Sequence, residues 1–127
     1  MKISNRQIME GLEALHELQL VELPAVLAFR VAKTALALDP LVKSMNMARK
    51  GLFDKYGEKD SDGKVITEAR EGGDVVKIAD NEAFVKEMDL LMAAHNDIPL
   101  EAISISDLDG FNVKPMVFTN LMWLFQE

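Results

Sequence analysis

The chain has 127 residues, of which 49% are hydrophobic and 28% charged, and this composition predicts a single globular domain over residues 1–127 with one buried core. Its formal net charge of -7 argues against DNA or RNA as a partner, because affinity for a phosphate backbone rests on many Lys and Arg contacts. The sequence contains no cysteine, which excludes disulfides, thiolate zinc sites and a cysteine nucleophile.

The N-terminal sequence MKISN lacks the apolar segment of a secretory signal peptide. No window of the chain holds about 18 uninterrupted apolar residues, the length that a membrane-spanning helix needs. These two observations predict a soluble, cytoplasmic protein with no membrane partner.

The first half of the chain, residues 1–57, carries the pattern of three helices. Ser4 or Asn5 can cap the first helix, and its apolar residues recur at helical spacing: Ile8, Leu12 and Leu15. Leu23-Pro24 ends this helix and starts the next, because a residue that precedes proline is pushed out of the helical conformation.

The second predicted helix, from Pro24 to about Leu38, is the most apolar stretch of the chain. A helix that is apolar over most of its circumference must be covered on more than one side. It is therefore either a central core helix or part of an oligomer interface. Asp39-Pro40 repeats the proline signal and predicts a third helix that runs to Tyr56.

The second half, residues 58–127, mixes strands with helices. Two β-prone runs at 65–67 and 75–78 flank Gly72-Gly73, and this pattern predicts a hairpin. A fourth helix is predicted from residue 80 or 81 to His95, and a terminal helix from Pro115 buries the large apolar groups near the C-terminus. Further short strands are predicted at residues 103–106 and 111–114. The predicted fold class is α+β, mainly helical, with about five helices and a small antiparallel β-hairpin or sheet.

The segment Asp60-Ser61-Asp62-Gly63 resembles part of a calcium-binding loop. With Gly63 as the sixth residue of an EF-hand loop, the twelfth position is Ala69, where a bidentate Glu is required. The segment is therefore predicted to be a turn and not a metal site.

Glu13 and His16 have the spacing of a helical di-metal motif, which places both side chains on one face. Such a site needs a second pair, and His95 has Met92 where the Glu should be. A solvated helix face is the preferred interpretation. Since neither histidine has a recognisable nucleophile motif, no catalytic residue, metal or cofactor is predicted, and the protein is predicted not to be an enzyme.

A group of cations in this acidic chain is the candidate ligand site. Arg30 and Lys33 lie one turn apart on the second predicted helix, and Arg49 lies on the third, with Tyr56 placed to stack nearby. Guanidinium groups match the geometry of carboxylates and phosphates, so these residues predict an anion site. The alternative interpretation is that the cations reach the surface or pair internally with acidic residues, namely Glu13, Glu17 or Glu22.

Four segments carry a pattern shared with known proteins: MKISN at 1–5, Leu23-Pro24 followed by Arg30 and Ala32-Lys33, KYGEKD at 55–60 with Asp62-Gly63, and Ser106-Asp107-Leu108 before a Trp-bearing helix. With this order of features the chain resembles a family of small, mostly uncharacterised proteins of tailed bacteriophages with long non-contractile tails. The resemblance spans most of the chain, implies a phage origin and supplies no catalytic residues. Residues 68–73 depart from the family pattern and leave the register of the hairpin open.

Within a phage, two roles fit the sequence. The first is a homo-oligomeric, host-directed inhibitor in the host cytoplasm, which masks a host protein or sequesters an anionic nucleotide signal. The second is a virion structural or assembly component that oligomerises through its apolar second and last helices.

Overall fold

The computed structural model describes residues 1–126 and has an α+β fold that is mainly helical, as predicted. Its helices are α1 (Asn5–Leu20), α2 (Ala25–Tyr56), α3 (Asn81–Ala93) and α4 (Pro115–Asn120), with a short 3-10 helix at Ile105–Leu108. Its strands are β1 (Lys2–Ser4), β2 (Thr67–Arg70), β3 (Gly73–Val76), β4 (His95–Asp97), β5 (Ile103–Ser104) and β6 (Phe125–Gln126).

The chain divides into two compact units. The first unit contains Met1–Lys43 and the chain from Ala93 onward, and the second contains Ser44–Met92. The sequence instead predicted one domain with a change of character at residue 57. That the whole chain behaves as one domain stays a prediction.

The predicted break between a second and a third helix is wrong, because α2 continues through Pro40. Proline removes one backbone donor and leaves the carbonyl four residues earlier, on Leu36, without its helical partner. Both Leu36 and Pro40 are exposed, so water can satisfy that carbonyl and the helix need not end. One long helix replaces two predicted ones.

Of the two residues predicted to cap α1, Ser4 or Asn5, the cap is Ser4. The Gln7 backbone N–H donates to Ser4 Oγ at 3.1 Å, and the Ser4 backbone N–H donates to Gln7 Oε1 at 2.9 Å. This reciprocal pair satisfies two backbone donors that the first turn leaves open. The apolar face of α1 then packs inward, with its buried residues at Ile8, Ala14, Leu15 and Leu18.

A strand pair at the N-terminus was missed by the sequence analysis. Strand β1 pairs antiparallel with β4, with Ile3 opposite Asn96, and the Ile98 N–H donates to the Met1 carbonyl at 2.8 Å. The fourth predicted helix therefore ends at Ala93, and His95 belongs to a strand. Three residues are too few for the alternating pattern by which strands are recognised in a sequence.

The C-terminal segment is docked, as the sequence predicted. Helix α4 runs only from Pro115 to Asn120, and three apolar residues of the C-terminal segment are fully or almost fully buried: Val117, Leu121 and Leu124. Strand β6 pairs in parallel with β5. The predicted strand at residues 111–114 is wrong, since this stretch has no regular structure, and residues 105 and 106 lie in the 3-10 helix.

Within the second unit, β2 and β3 form the predicted antiparallel hairpin, with Arg70 opposite Gly73. Gly72 and Gly73 have φ angles of 96° and 126°, a conformation that favours glycine. Asp60 Oδ1 accepts hydrogen bonds from the backbone of Asp62 at 2.9 Å and of Lys64 at 3.0 Å. This side chain closes the turn that was predicted in place of a calcium loop.

Candidate functional site

Two of the four predicted ligand-site residues line one cavity. Arg30 and Lys33, on α2, border a cavity of about 280 Å³ in the first unit. The remaining wall comes from two sources, α2 itself and the segment after β4: Thr34, Ala37, Pro99, Leu100 and Glu101. The cavity thus combines two cations, one carboxylate and a mostly apolar wall.

The local sequence of α2 explains why the cations face this cavity. Leu27 and Val31 are buried, which fixes the inward face of the helix. Thr34 is also buried, and its hydroxyl donates to the Arg30 carbonyl at 3.0 Å, so this polar group is satisfied within the helix. Position 30 lies beside that inward face, and position 33 lies farther round the helix toward solvent, so the two side chains border the cavity from its core side and from its solvent side.

Glu101 is the acidic residue that forms an ion pair with Arg30. Arg30 Nε lies 3.8 Å from Glu101 Oε2, and the two side chains keep 43% and 73% of their exposure. A single contact of this length between solvated groups contributes little to stability. The guanidinium therefore has donors left for another acceptor.

Glu101 was not predicted from the sequence as a partner of the cations. The predicted internal partners were Glu13, Glu17 and Glu22, whereas Glu17 pairs with Lys114 at 3.0 Å. Glu101 is remote from Arg30 in the chain and follows Pro99 in an irregular segment. No spacing rule relates such a residue to a helix position, so only the fold could identify it.

Lys33 interacts with the aromatic residue one turn before it. Its Nζ lies 5.5 Å from the centroid of the Phe29 ring, within the range of a cation–π contact. Both side chains are exposed. Lys33 thus stands between the cavity on one side and an exposed aromatic ring on the other.

Arg49 and Tyr56 belong to the second unit and do not line this cavity. Lys55 Nζ lies 3.2 Å from Glu87 Oε2 and 5.0 Å from the centroid of the Tyr56 ring. A hydrogen bond with Tyr56, and then one with Lys55, holds the pKa of Glu87 below its usual range. The hydrogen bond with Glu87 in turn raises the pKa of Tyr56. Tyr56 therefore connects α2 to α3 through its hydrogen bond with Glu87.

The other polar candidates from the sequence were also located. Within residues 1–126, no group of three or more His, Asp or Glu side chains is arranged to hold a metal ion. Glu13 and His16 lie on the exposed side of α1, whereas His95 belongs to β4. Among the helices that the structure describes, none combines the length and the apolar character needed to cross a membrane.

A second, larger cavity lies elsewhere in the first unit. It measures about 410 Å³ and is bordered by the C-terminal end of α1 and by the loop before α4, including Glu17, Glu22, Phe111 and Lys114. Two of its charged lining residues, Glu17 and Lys114, form a salt bridge with each other. Its one cation is therefore paired at 3.0 Å, whereas Arg30 is held only at 3.8 Å.

Compared with known proteins, this chain matches no protein-family model, no curated protein and no solved structure.

Proposed function

We propose that this protein acts by binding, as a homo-oligomeric, host-directed inhibitor whose Arg30–Lys33 cavity takes the anionic group of its ligand. The observation that carries the proposal is the convergence of two cations on one cavity of about 280 Å³. Guanidinium and ammonium groups at the edge of an apolar pocket are a common arrangement for holding carboxylates and phosphates.

Glu101 supports this proposal as an internal substitute for the ligand. Its carboxylate approaches the Arg30 guanidinium at 3.8 Å but remains 73% exposed. An incoming anion with better geometry can replace Glu101, because little free energy is lost when a solvated ion pair opens. Glu101 then also weakens binding, since its negative charge opposes the ligand.

The size of the cavity favours a small anion. A volume of about 280 Å³ is near the lower end of the range for ligand pockets, roughly 300–1,000 Å³. Ala37, Pro99 and Leu100 offer apolar surface that suits part of a nucleobase. Sequestration of an anionic nucleotide is accordingly the version of the proposal that we favour over masking of a host protein. The assignment to a phage and to a host target rests on the resemblance described above.

Titration calorimetry with AMP and with inorganic phosphate tests the proposal. We expect Arg30→Ala and Lys33→Ala each to weaken binding by about tenfold or more, because each removes a charged donor. Lys43→Ala is the matched control, since Lys43 is an exposed α2 cation in the first unit that pairs with Asp39 at 3.1 Å. Equal isotherms for all four proteins, or no binding of either probe, would refute the proposal.

The same titration tests the original four-residue site. Arg49 and Tyr56 belong to the second unit and are not among the residues that line the cavity. We expect Arg49→Ala to leave binding unchanged. A loss as large as that of Arg30→Ala would restore the four-residue site predicted from the sequence.

The alternative function is a virion structural or assembly component. It is favoured by exposed apolar side chains on α2, which suit stable contacts between subunits: Val26, Phe29 and Leu36. This alternative predicts that the protein is present in purified phage particles at a fixed stoichiometry. A mass-spectrometric inventory of such particles without the protein would exclude it.

A further inference from the structure

One face of α2 in the first unit is apolar and exposed. Val26, Phe29 and Leu36 keep 69%, 62% and 73% of their exposure, and Lys33 stands between the last two. The positions 26, 29, 33 and 36 are separated by three, four and three residues, which places them in one stripe along the helix. We call these four residues the α2 stripe.

The α2 stripe is distinct from the side of the helix that faces the core. The buried residues of this helix segment are Leu27, Val31, Thr34 and Leu38. At about 100° of rotation per residue, the two sets are centred roughly 150° apart around the helix axis. Among the described residues, this helix segment therefore buries side chains on one side only, although its sequence is apolar on both.

We infer that a second copy of this chain covers the α2 stripe, with the two helices antiparallel. A two-fold axis that crosses the helix pair at the level of residue 31 places Val26 of each copy opposite Leu36 of the other. The same axis places Phe29 of each copy opposite Lys33 of the other. The contact is therefore self-complementary, which a face that binds an unrelated partner need not be.

Charge selects the antiparallel arrangement. In a parallel pair, Lys33 of one copy would face Lys33 of the other, and like charges that face each other are destabilising. In the antiparallel pair, each ammonium group lies over an aromatic ring, and Lys33 already approaches the Phe29 ring of its own chain at 5.5 Å. The exposed Glu101 carboxylate lies next to this stripe and provides a counter-charge for the incoming Lys33.

The required area indicates which neighbours join the contact. A specific dimer buries at least about 500 Å² on each partner, and three apolar side chains supply only part of that area. The residues that border the stripe must contribute the rest, and on the cavity side these are Arg30 and Pro99–Glu101. The anion cavity then opens at the edge of the dimer contact.

This inference rests on the homo-oligomer in the proposed function and names the surface through which its subunits associate. Sedimentation velocity over a concentration series tests it. We expect a concentration-dependent dimer, and we expect Phe29→Glu to raise the dimer dissociation constant at least about tenfold, because a charge replaces the central aromatic group. Met122→Glu is the matched control, since Met122 is 72% exposed and lies outside α2.

Cysteine cross-linking tests the orientation, because the natural chain has no cysteine. In the antiparallel dimer, an equimolar mixture of Phe29→Cys and Lys33→Cys forms a mixed disulfide dimer in preference to either homodimer. Preferred homodimers of Lys33→Cys would indicate the parallel pair and overturn the arrangement.

Three outcomes would overturn the inference: a monomer at every concentration, a dimer that Phe29→Glu does not weaken, and a dimer that Met122→Glu weakens equally. A monomer that still binds AMP through Arg30 would refute the dimer surface and leave the anion cavity intact. A dimer that binds neither AMP nor phosphate would refute the anion cavity and leave the dimer surface intact.

Discussion

The two units of this protein differ in how they bury apolar surface. Almost all of the buried apolar side chains that the structure describes belong to the first unit, including Ile3, Leu18 and Leu121, and only Met45 belongs to the second. Helix α3 has no buried residue. Burial of apolar surface is the main favourable term in folding, so the first unit has the stronger basis for a stable structure.

The second unit depends on contacts of a different kind. The Phe53 and Phe84 rings lie 5.2 Å apart, and Lys77 pairs with Glu58 at 3.4 Å. Solvated ion pairs contribute little, whereas aromatic pairs contribute roughly 0.5–1.5 kcal/mol. The comparison implies that the first unit forms a rigid support for the cavity and the α2 stripe, and that the second unit opens more readily.

The largest expected effect comes from truncation of a buried side chain in the first unit. Leu18 has no exposed surface, so Leu18→Ala removes buried methyl groups and leaves a cavity. We expect the free energy of unfolding to fall by about 3 kcal/mol in urea titrations. Leu90→Ala, at a 65% exposed position of α3, is the matched control and should change it by less than about 0.5 kcal/mol. Similar losses at both positions would contradict the contrast between the units.

Replacement of two helical glycines by alanine should change the stability of the protein in opposite directions. A Cβ on Gly11 would lie 2.9 Å from Leu121 Cδ2 and 3.1 Å from the Asn120 carbonyl, both in the close contact between α1 and α4. A Cβ on Gly51 would meet nothing within 4 Å. We expect Gly11→Ala to destabilise by about 1–2 kcal/mol through overpacking. Gly51→Ala should stabilise by roughly 0.5–1 kcal/mol through helix propensity. Thermal unfolding of both variants measures whether each substitution stabilises or destabilises the protein. A stabilising Gly11→Ala would mean that α1 and α4 are not in close contact.

A side-chain oxygen caps one helix in each unit, so removal of each cap tests the stability of one unit at a time. Ser4 Oγ accepts from Gln7 at the start of α1, and Asp80 Oδ1 accepts from the Ala83 N–H at 3.1 Å at the start of α3. Loss of either cap should cost about 1 kcal/mol. Hydrogen exchange should show that Asp80→Ala increases opening of α3 amides alone, whereas Ser4→Ala affects α1. Equal acceleration throughout the chain in both variants would show that the two units open together.

The smallest expected effect concerns the pH dependence of the second unit. Hydrogen bonds with Tyr56 and Lys55 lower the pKa of Glu87 in the folded protein. A carboxylate with a lowered pKa stabilises the fold above its unfolded pKa, and this contribution is lost as the pH falls below about 4.3. Glu87→Gln should therefore slightly reduce the loss of α3 stability that accompanies the fall in pH. An unchanged profile between pH 3 and about pH 6 would remove Glu87 from the account.

The sequence predicted features that depend on neighbouring residues. The Ser4 cap, the turn at Asp60 and the hairpin at Gly72-Gly73 follow from local hydrogen bonds and from backbone freedom. The shared position of Arg30 and Lys33 followed from helical spacing alone.

Features that depend on tertiary context could not be predicted in this way. The pairing of β1 with β4 and the approach of Glu101 to Arg30 join residues that are remote in the chain. The continuity of α2 through Pro40 goes with the exposure of Leu36 and Pro40, and exposure is a property of the fold. Arg49 and Tyr56 were grouped with Arg30 because helix spacing cannot tell in which compact unit a residue lies.

The central claim is that the Arg30–Lys33 cavity binds an anion and that Glu101 occupies its place in the free protein. Calorimetric titration of AMP into Glu101→Gln tests this most directly, because the substitution removes the competing charge and retains the shape. We predict that Glu101→Gln binds AMP more tightly than the natural chain, by about threefold to tenfold, while Arg30→Ala binds it less tightly. Weaker binding by Glu101→Gln, or identical isotherms for the three proteins, would contradict the claim.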